Sequence, residues 1–450
     1  MNSGKRSTSR RHFLQNTAAA TGGFWLTGRG AWAQENAPAA SPTDALNIAF
    51  IGTSGRALAN LNELLTETKS AKSARVVALC DVDERNFSKA AKLAPAAKTF
   101  KDFRVMLDKM SKDIDAVLVA TPDHTHAVCS VAAMKAGKHV YCEKPLAHDI
   151  HEARTMQQLA RDRRLCTQMG TQIHAGSNYR RAVEIVQSGA IGPVREAHVW
   201  CGKSTPVAQA TENPEPAPIP PGLDYDLWVG PAPYRPYSPA FVPNRWRWYW
   251  NFGNGVLGDM GCHYIDLAFW ALDLRYPTRV SSDGPPVNAV TCPTWQIVHW
   301  QFPARGQQPP VQLFWYHGDK RPEKSQQWGL DPKRRNGVLF VGDKGILFAD
   351  YTQRHLLPAK NFKDFQPPPK NIPDSIGHHA EWVQACRRGD PAGTTCRFDY
   401  SGPLAETVLL GTAAYRAGTE LEWDGESGKV TNTRAADPYL RREYRPGWSL

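Results

Sequence analysis

The chain has 450 residues, 41% of them hydrophobic, with nine cysteines and a formal charge of +11. That is enough to bury a substantial core in two or three domains, and it excludes a disordered protein. Five cations (Lys5, Arg6, Arg10, Arg11 and Arg29) lie in the first 33 residues, which hold no acidic residue, so the remainder carries only +6. No Lys/Arg run rises above an ordinary solvated face, and no apolar stretch beyond residue 33 approaches the ~20 residues of a membrane span. Nucleic acid and stable membrane association are therefore not expected.

Those first 33 residues read as an export signal: adjacent Arg10 and Arg11, a weakly apolar middle, and the small-x-small site Ala31-Trp32-Ala33 before Gln34. Ser9-Arg10-Arg11-His12-Phe13-Leu14 resembles the twin-arginine pattern, whose translocon carries proteins already folded. A disordered basic tail would explain the charge but not this order of parts. The expectation is a periplasmic or secreted protein that meets the twin-arginine translocon on its way out. Residues 34–45, rich in Pro, Ala and Ser, read as a linker.

From residue 46, short apolar runs alternate with helical patterns. The runs are LNIAFIG, RVVALCD, AVLVATP, HVYCEKP and LCTQMG, and helical periodicity falls at about 56–69, 84–93, 103–110, 124–136 and 150–163. This βαβ repetition predicts a doubly wound parallel sheet of the Rossmann type over residues 46–170. From about 171 the strands lengthen (VREAHVWCG, WQIVHWQFP, VQLFWYH, GVLFVGDKGILFAD), which predicts an α+β domain with a large, mostly antiparallel sheet over 171–450. A Pro-rich stretch, 205–243, reads as a long ordered loop or a linker. Trp246, Trp248, Tyr249 and Trp250 directly follow it; exposed, they would be an aggregation liability, so they pack or line a cleft.

Cys80, Cys129 and Cys142 sit inside apolar patterns, where free cysteine behaves as a small hydrophobe. No CxxC or Cys/His metal spacing is present, so neither a disulfide framework nor a metal site is expected.

In an open parallel sheet, ligands bind outside the carboxyl ends of the strands. The first run ends in Gly52-Thr53-Ser54-Gly55-Arg56-Ala57, the place of a GxGxxG phosphate loop, with Ser54 and Ala57 replacing two glycines; a tight turn is the plain alternative. The second ends in Asp81, a carboxylate able to accept from an adenosine ribose and to repel a 2′-phosphate, which favours NAD over NADP; a helix cap is the alternative. The third ends in TPDHTH, where Thr121, Pro122, His124 and His126 either contact a cofactor or cap the next helix. The fourth ends in Glu143-Lys144-Pro145, where an amine leaves a buried strand toward the same crevice unless it is a surface ion pair. In GNGVLGDMGCHYIDLAFWAL, a helix from about Gly258 puts Asp259, His263 and Asp266 on one face. A carboxylate four residues before an imidazole can orient it as a general base; a structural histidine is the alternative.

The βαβ start, TPDHTH, EKP and GDMGCHYID, in that order, resemble the glucose-fructose oxidoreductase / inositol dehydrogenase (Gfo/Idh/MocA) family, and the likeness runs from about Leu46 to the end, in the form of its exported members. The resemblance implies that Lys144 contacts substrate and nicotinamide ribose and that Asp259 and His263 complete the catalytic set. It implies hydride transfer between NAD(P), with NAD expected ahead of NADP and tightly held, and a hydroxyl-bearing carbon of a sugar, sugar derivative or cyclitol. The substituted glycine loop leaves the mode of pyrophosphate binding open. A glycoside-cleaving enzyme that oxidises, eliminates and re-reduces with one retained NAD is the alternative. Homo-oligomers form through the second sheet's exposed face in this family, and one is expected here.

Overall fold

The computed structural model describes residues 45–206 and 212–450. Residues 1–33, expected to be an export signal, and nearly all of the expected linker lie outside the described residues.

Six strands, β1 (Leu46–Ile51), β2 (Ala74–Cys80), β3 (Lys98–Phe100), β4 (Ala116–Val119), β5 (His139–Glu143) and β6 (Thr167–Gly170), form one parallel sheet in the order 3-2-1-4-5-6. The middle strands β4 and β5 are buried at every position, as a sheet covered on both faces demands. The covering helices are α1 (Arg56–Thr68), α2 (Phe87–Leu93), α3 (Phe103–Met110), α4 (Asp123–Lys135) and α5 (Ile150–Asp162). Asp102 and Asp149 cap α3 and α5 by accepting from the N–H groups of Arg104 and Glu152. The strand order reverses between β1 and β4, which opens a crevice at their carboxyl ends.

The second sheet has nine strands: β7 (Val194–Cys201), β8 (Arg279–Asp283), β9 (Gln296–Phe302), β10 (Val311–His317), β11 (Asn336–Gly342), β12 (Ile346–Ala349), β13 (Arg354–Leu357), β14 (Leu421–Asp424) and β15 (Lys429–Val430), ordered 13-12-11-7-10-9-8-14-15. Only β7 and β10 pair in parallel. β9 alternates between buried and half-buried residues, so Val298, Trp300 and Phe302 share the core face. Further helices are α6 (Ser177–Gln187), α7 (Tyr225–Val229), α8 (Gly255–Ala271) and α9 (His378–Arg388), followed by the long α10 (Phe398–Ala417) and the short α11 (Asp437–Leu440). The Trp300 indole N–H donates to Thr407 O at 2.9 Å, tying the core face of the sheet to α10.

The two sheets share their packing. α9, from deep in the second half of the sequence, lays Trp382, Val383, Ala385 and Cys386 against Ile48, Leu61 and Tyr141 of the parallel-sheet region. Tryptophans 246, 248 and 250 and Tyr249 are all buried. All nine cysteines are free and buried. Among the described residues no helix is long and apolar enough to cross a membrane.

Candidate active site

One cavity of about 1210 Å³ runs from the carboxyl ends of the parallel strands to α8 and the tryptophan cluster. It exceeds the roughly 300–1000 Å³ of an ordinary small-molecule site, leaving room for a dinucleotide beside a second ligand.

The nucleotide end starts at the turn after β1. Gly52 has φ +95°, and a Cβ there would stand 2.5 Å from Ala120 O, so only glycine lets the first and third of the sequence's apolar runs close up at this point. Ser54, Gly55 and Arg56 follow along the cavity wall to the start of α1, where helix N–H groups favour an anion. Asp81 lies beneath this turn. Its Oδ2 accepts from the N–H and hydroxyl of Thr53 at 2.9 and 2.8 Å, and its Oδ1 from Asp83 N at 2.9 Å and Asn86 Nδ2 at 3.2 Å. Burial raises its pKa and these donors oppose the rise. The carboxylate expected at a ribose therefore also staples the phosphate loop. This turn, Asp81 and the helix start fit a dinucleotide.

Thr121, Pro122, Glu143 and Lys144 line the same cavity. Glu143 is buried and accepts from Asn60 Nδ2 at 2.8 Å and Gln172 Nε2 at 2.7 Å. Arg56 stands over it at 3.5 Å. The Lys144–Pro145 peptide is cis.

The two histidines of TPDHTH are not in the cavity wall. His126 Nδ1 meets Pro145 O at 2.7 Å and its Nε2 meets Thr121 O at 2.8 Å, so the ring braces the chain after β4 against the chain after β5. His124 lies between Trp228 O (2.8 Å) and Phe252 O (3.3 Å), linking α4 to the second domain. Burial pushes its pKa down to about 3. The cofactor contact expected of both is thus corrected to a framework role; the other four residues of TPDHTH, Thr121, Pro122, Asp123 and Thr125, line the cavity.

At the other end Lys144 Nζ donates to Asp259 O at 2.7 Å and to Asp259 Oδ1 at 2.8 Å. Asp259 also pairs with Lys203 through Oδ2 and with Arg247 Nε at 3.3 Å. Burial disfavours both charged forms. Even so, Asp259 holds the Lys144 pKa above its usual range, while Lys144, Arg247 and Lys203 hold that of Asp259 well below the carboxylate range. Asp123 is pushed up to about 7 by burial, against the pull of Lys144 and Arg247.

His263 faces this group from one turn along α8. Burial, with the Lys144 charge adding to it, lowers its pKa to about 3, so the ring is neutral at ordinary pH. The expectation that Asp259 orients it is corrected: no described residue hydrogen-bonds the His263 ring, and the Asp259 carboxylate orients Lys144 instead. Asp266 turns away from the site, bound by His174 Nδ1 at 2.9 Å and by the Tyr400 hydroxyl at 2.7 Å. The sequence reading missed Lys203, Arg247, Asp123 and Gln172. Arg247 was reachable from its place between Trp246 and Trp248; Lys203 stands alone after β7 and carried no pattern.

At the opposite ends of the parallel strands His139, Cys166 and Cys386 lie together, buried. Cys166 N–H donates to His139 Nδ1 at 3.1 Å and the Cys166 thiol to Ala385 O at 3.4 Å, so internal hydrogen bonds hold the group.

A model of an oxidoreductase family with an NAD-binding Rossmann fold matches residues 46–171, and the model of that family's C-terminal alpha/beta domain matches 185–308. Together they cover more than half of the sequence. The chain belongs to the Gfo/Idh/MocA family. Among curated relatives, a levoglucosan dehydrogenase of Pseudarthrobacter phenanthrenivorans is 30% identical over 189 residues, 39% of this chain and 38% of the relative. Inositol 2-dehydrogenase 2 of Saccharopolyspora erythraea is 33% identical over 149 residues, 33% of this chain and 43% of the relative. The chain thus matches less than half the length of these two relatives. The WlbA dehydrogenase of Bordetella pertussis, solved with NADH and UDP-GlcNAcA, superposes with a TM-score of 0.58 at 16% identity over 85% of this chain and 99% of that one, a likeness of fold.

Proposed function

We propose that the protein is a nucleotide-dependent oxidoreductase that moves a hydride between NAD and a hydroxyl-bearing carbon of a sugar, sugar derivative or cyclitol. The observation that carries this reading is one cavity lined both by the phosphate turn with Asp81 and by Lys144, Asp259 and His263. The relatives named as levoglucosan and inositol dehydrogenases support the substrate class.

The turn of residues 52–56 and Asp81 would hold the dinucleotide, which when bound supplies hydride acceptance and donation at its nicotinamide. The chain's own residues handle the proton. The Lys144 ammonium, aimed by Asp259, donates a hydrogen bond to the substrate oxygen and favours its alkoxide character. The neutral His263 ring accepts the hydroxyl proton. Trp246 and Trp248, both on the cavity wall, offer flat apolar surface to a sugar face. NAD over NADP is argued from Asp81, since a buried carboxylate there repels a 2′-phosphate.

Export by the twin-arginine route and homo-oligomerisation through the open face of the nine-stranded sheet belong to the same proposal; His299 and Phe314, stacked at 4.4 Å and half-buried, are on that face. The deciding experiment is a mass-spectrometric screen of sugars, cyclitols and glycosides with the purified protein, its bound nucleotide identified alongside. A substrate oxidised with matching nucleotide reduction supports the reading. A glycoside cleaved with no net redox change replaces it with the retained-NAD cycle, and a preparation binding no nucleotide rejects both.

A further inference from the structure

Beyond both matched segments of the family, residues 441–448 run back over the parallel-sheet domain and end in the nucleotide cavity. Arg442 donates from its backbone to Asp149 Oδ2 at 3.2 Å, from Nε to Glu152 Oε1 at 2.9 Å, and from its guanidinium to His124 O at 2.6 Å. The Tyr444 hydroxyl joins the same Glu152 oxygen at 2.6 Å. These partners lie at the start of α4 and α5, so the tail is bolted to the domain through buried charge. Arg445 then grips a second segment: its N–H donates to Pro231 O at 3.0 Å, its Nε to Gly230 O at 3.1 Å, and its guanidinium pairs with Asp226 of α7.

That second segment is itself docked at the end of β2. Asp224 N donates to Val82 O at 2.8 Å and Glu84 N to Gly222 O at 2.9 Å. Three residues on, Trp448 packs against Phe103 with ring centroids 6.2 Å apart, and the Arg104 guanidinium sits 4.7 Å over its indole. Val82, Phe103, Leu223, Leu227 and Trp448 all line the cavity. They stand beyond Asp81, on the side of β2 and β3 away from Lys144, which is the adenosine side of the crevice.

We propose that Trp448 is an adenine-binding residue and that residues 441–448 and 222–230, joined by Arg445, form a clasp over the adenosine half of the dinucleotide that must part before the cofactor leaves. This rests on the nucleotide reading above and adds to it a reason for slow release. An indole presents a flat face on which any base stacks, and the Arg104 cation 4.7 Å over the ring helps hold it in place.

The test uses the full chain and three probes: NAD, ADP-ribose and nicotinamide mononucleotide. Trp448→Ala is expected to weaken NAD and ADP-ribose by about tenfold, in keeping with the loss of one stacked base, and to speed NAD release in stopped-flow displacement by a similar factor. Nicotinamide mononucleotide, which lacks the adenosine, should bind as it does to the unaltered protein. Arg445→Gln keeps the indole and opens the bolt, so it should speed NAD release also, and it decides the matter should Trp448→Ala not fold. Unchanged ADP-ribose affinity and NAD release in the variants, or tighter binding in Trp448→Ala, would overturn the clasp. If the unaltered protein binds neither NAD nor NADP nor ADP-ribose, the nucleotide reading itself fails.

Discussion

The Lys144 ammonium donates to both the carbonyl and the carboxylate of Asp259, at 2.7 and 2.8 Å, so one residue of α8 sets the direction of the amine that leaves β5. Lys144→Met should therefore remove the amine without leaving Asp259 alone, because Lys203 and Arg247 remain on it. The variant should fold, keep its nucleotide and lose about 10²- to 10⁴-fold in kcat. Asp259→Asn should behave differently. It strips charge compensation from three cations, one of them nearly buried, and should lower unfolding stability by about 3 kcal/mol in denaturant titration. A variant as stable as the parent would mean that the cations find other partners.

His263 has a pKa pushed down to about 3, so it does not change charge anywhere between pH 5 and 8. Its replacement by alanine should lower kcat by about 10²- to 10⁴-fold while leaving the shape of the pH profile over that range intact. Loss of a limb near pH 6.5 in the variant would show that the imidazole titrates there. Combined with Lys144→Met, the loss should be much smaller than the product of the two, since both act on one oxygen.

Why the sequence yielded Lys144 and His263 but misplaced their partners is a matter of range. Strand ends, glycine turns and helical spacing are local, and they brought Gly52, Gly55, Asp81 and Lys144 to one crevice on paper as they do in space. The partner of Asp259 is not local: Lys144 is 115 positions away, and helical spacing pointed to His263 instead. His124 and His126 were misread for the same reason, since the carbonyls that hold them come from residues as distant as Phe252. β3 was missed because three half-exposed or exposed edge residues carry no apolar pattern. α9 reads as part of the second domain yet covers the first sheet, a return that only the tertiary fold reveals.

Asp123 supplies a pH test. Its folded pKa of about 7 lies above the ordinary carboxylate value near 3.8, so the folded protein binds the extra proton between those limits. Its contribution is fully present below about pH 4 and is lost as pH rises through 7. Asp123→Asn keeps the shape without the charge. The stability of the variant relative to the parent should thus rise between pH 4 and 8, by on the order of 1 to 4 kcal/mol, in melts across that range. A difference independent of pH would place the Asp123 pKa back at its ordinary value.

Export can be tested without the structure. If the first 33 residues act as a twin-arginine signal, replacing Arg10 and Arg11 together with lysine keeps the charge and removes the recognised pair. The protein should then accumulate inside the cell, folded and with nucleotide. Unchanged export in fractionation would reject that route.

Asp81 sits where cofactor choice and loop geometry meet. Four donors already occupy its carboxylate, two from Thr53 in the phosphate turn and two from Asp83 and Asn86 in the chain that follows β2. A ribose diol must share or displace some of them, whereas a 2′-phosphate would bring negative charge against a buried carboxylate. Asp81→Ala should accordingly weaken NAD by roughly 1.5 to 3 kcal/mol, the worth of a hydrogen bond to a charged group, and narrow the gap to NADP. Asp81→Asn separates the two effects: it can still accept from Thr53, so it should keep the turn and most of the NAD affinity while dropping the repulsion. Calorimetry with both nucleotides reads this directly. Tighter binding of NADP than NAD by the unaltered protein would remove Asp81 as the selector and leave Arg56 and Arg85 as candidates to meet the phosphate, although each already has a carboxylate partner, Glu63 and Asp83 respectively.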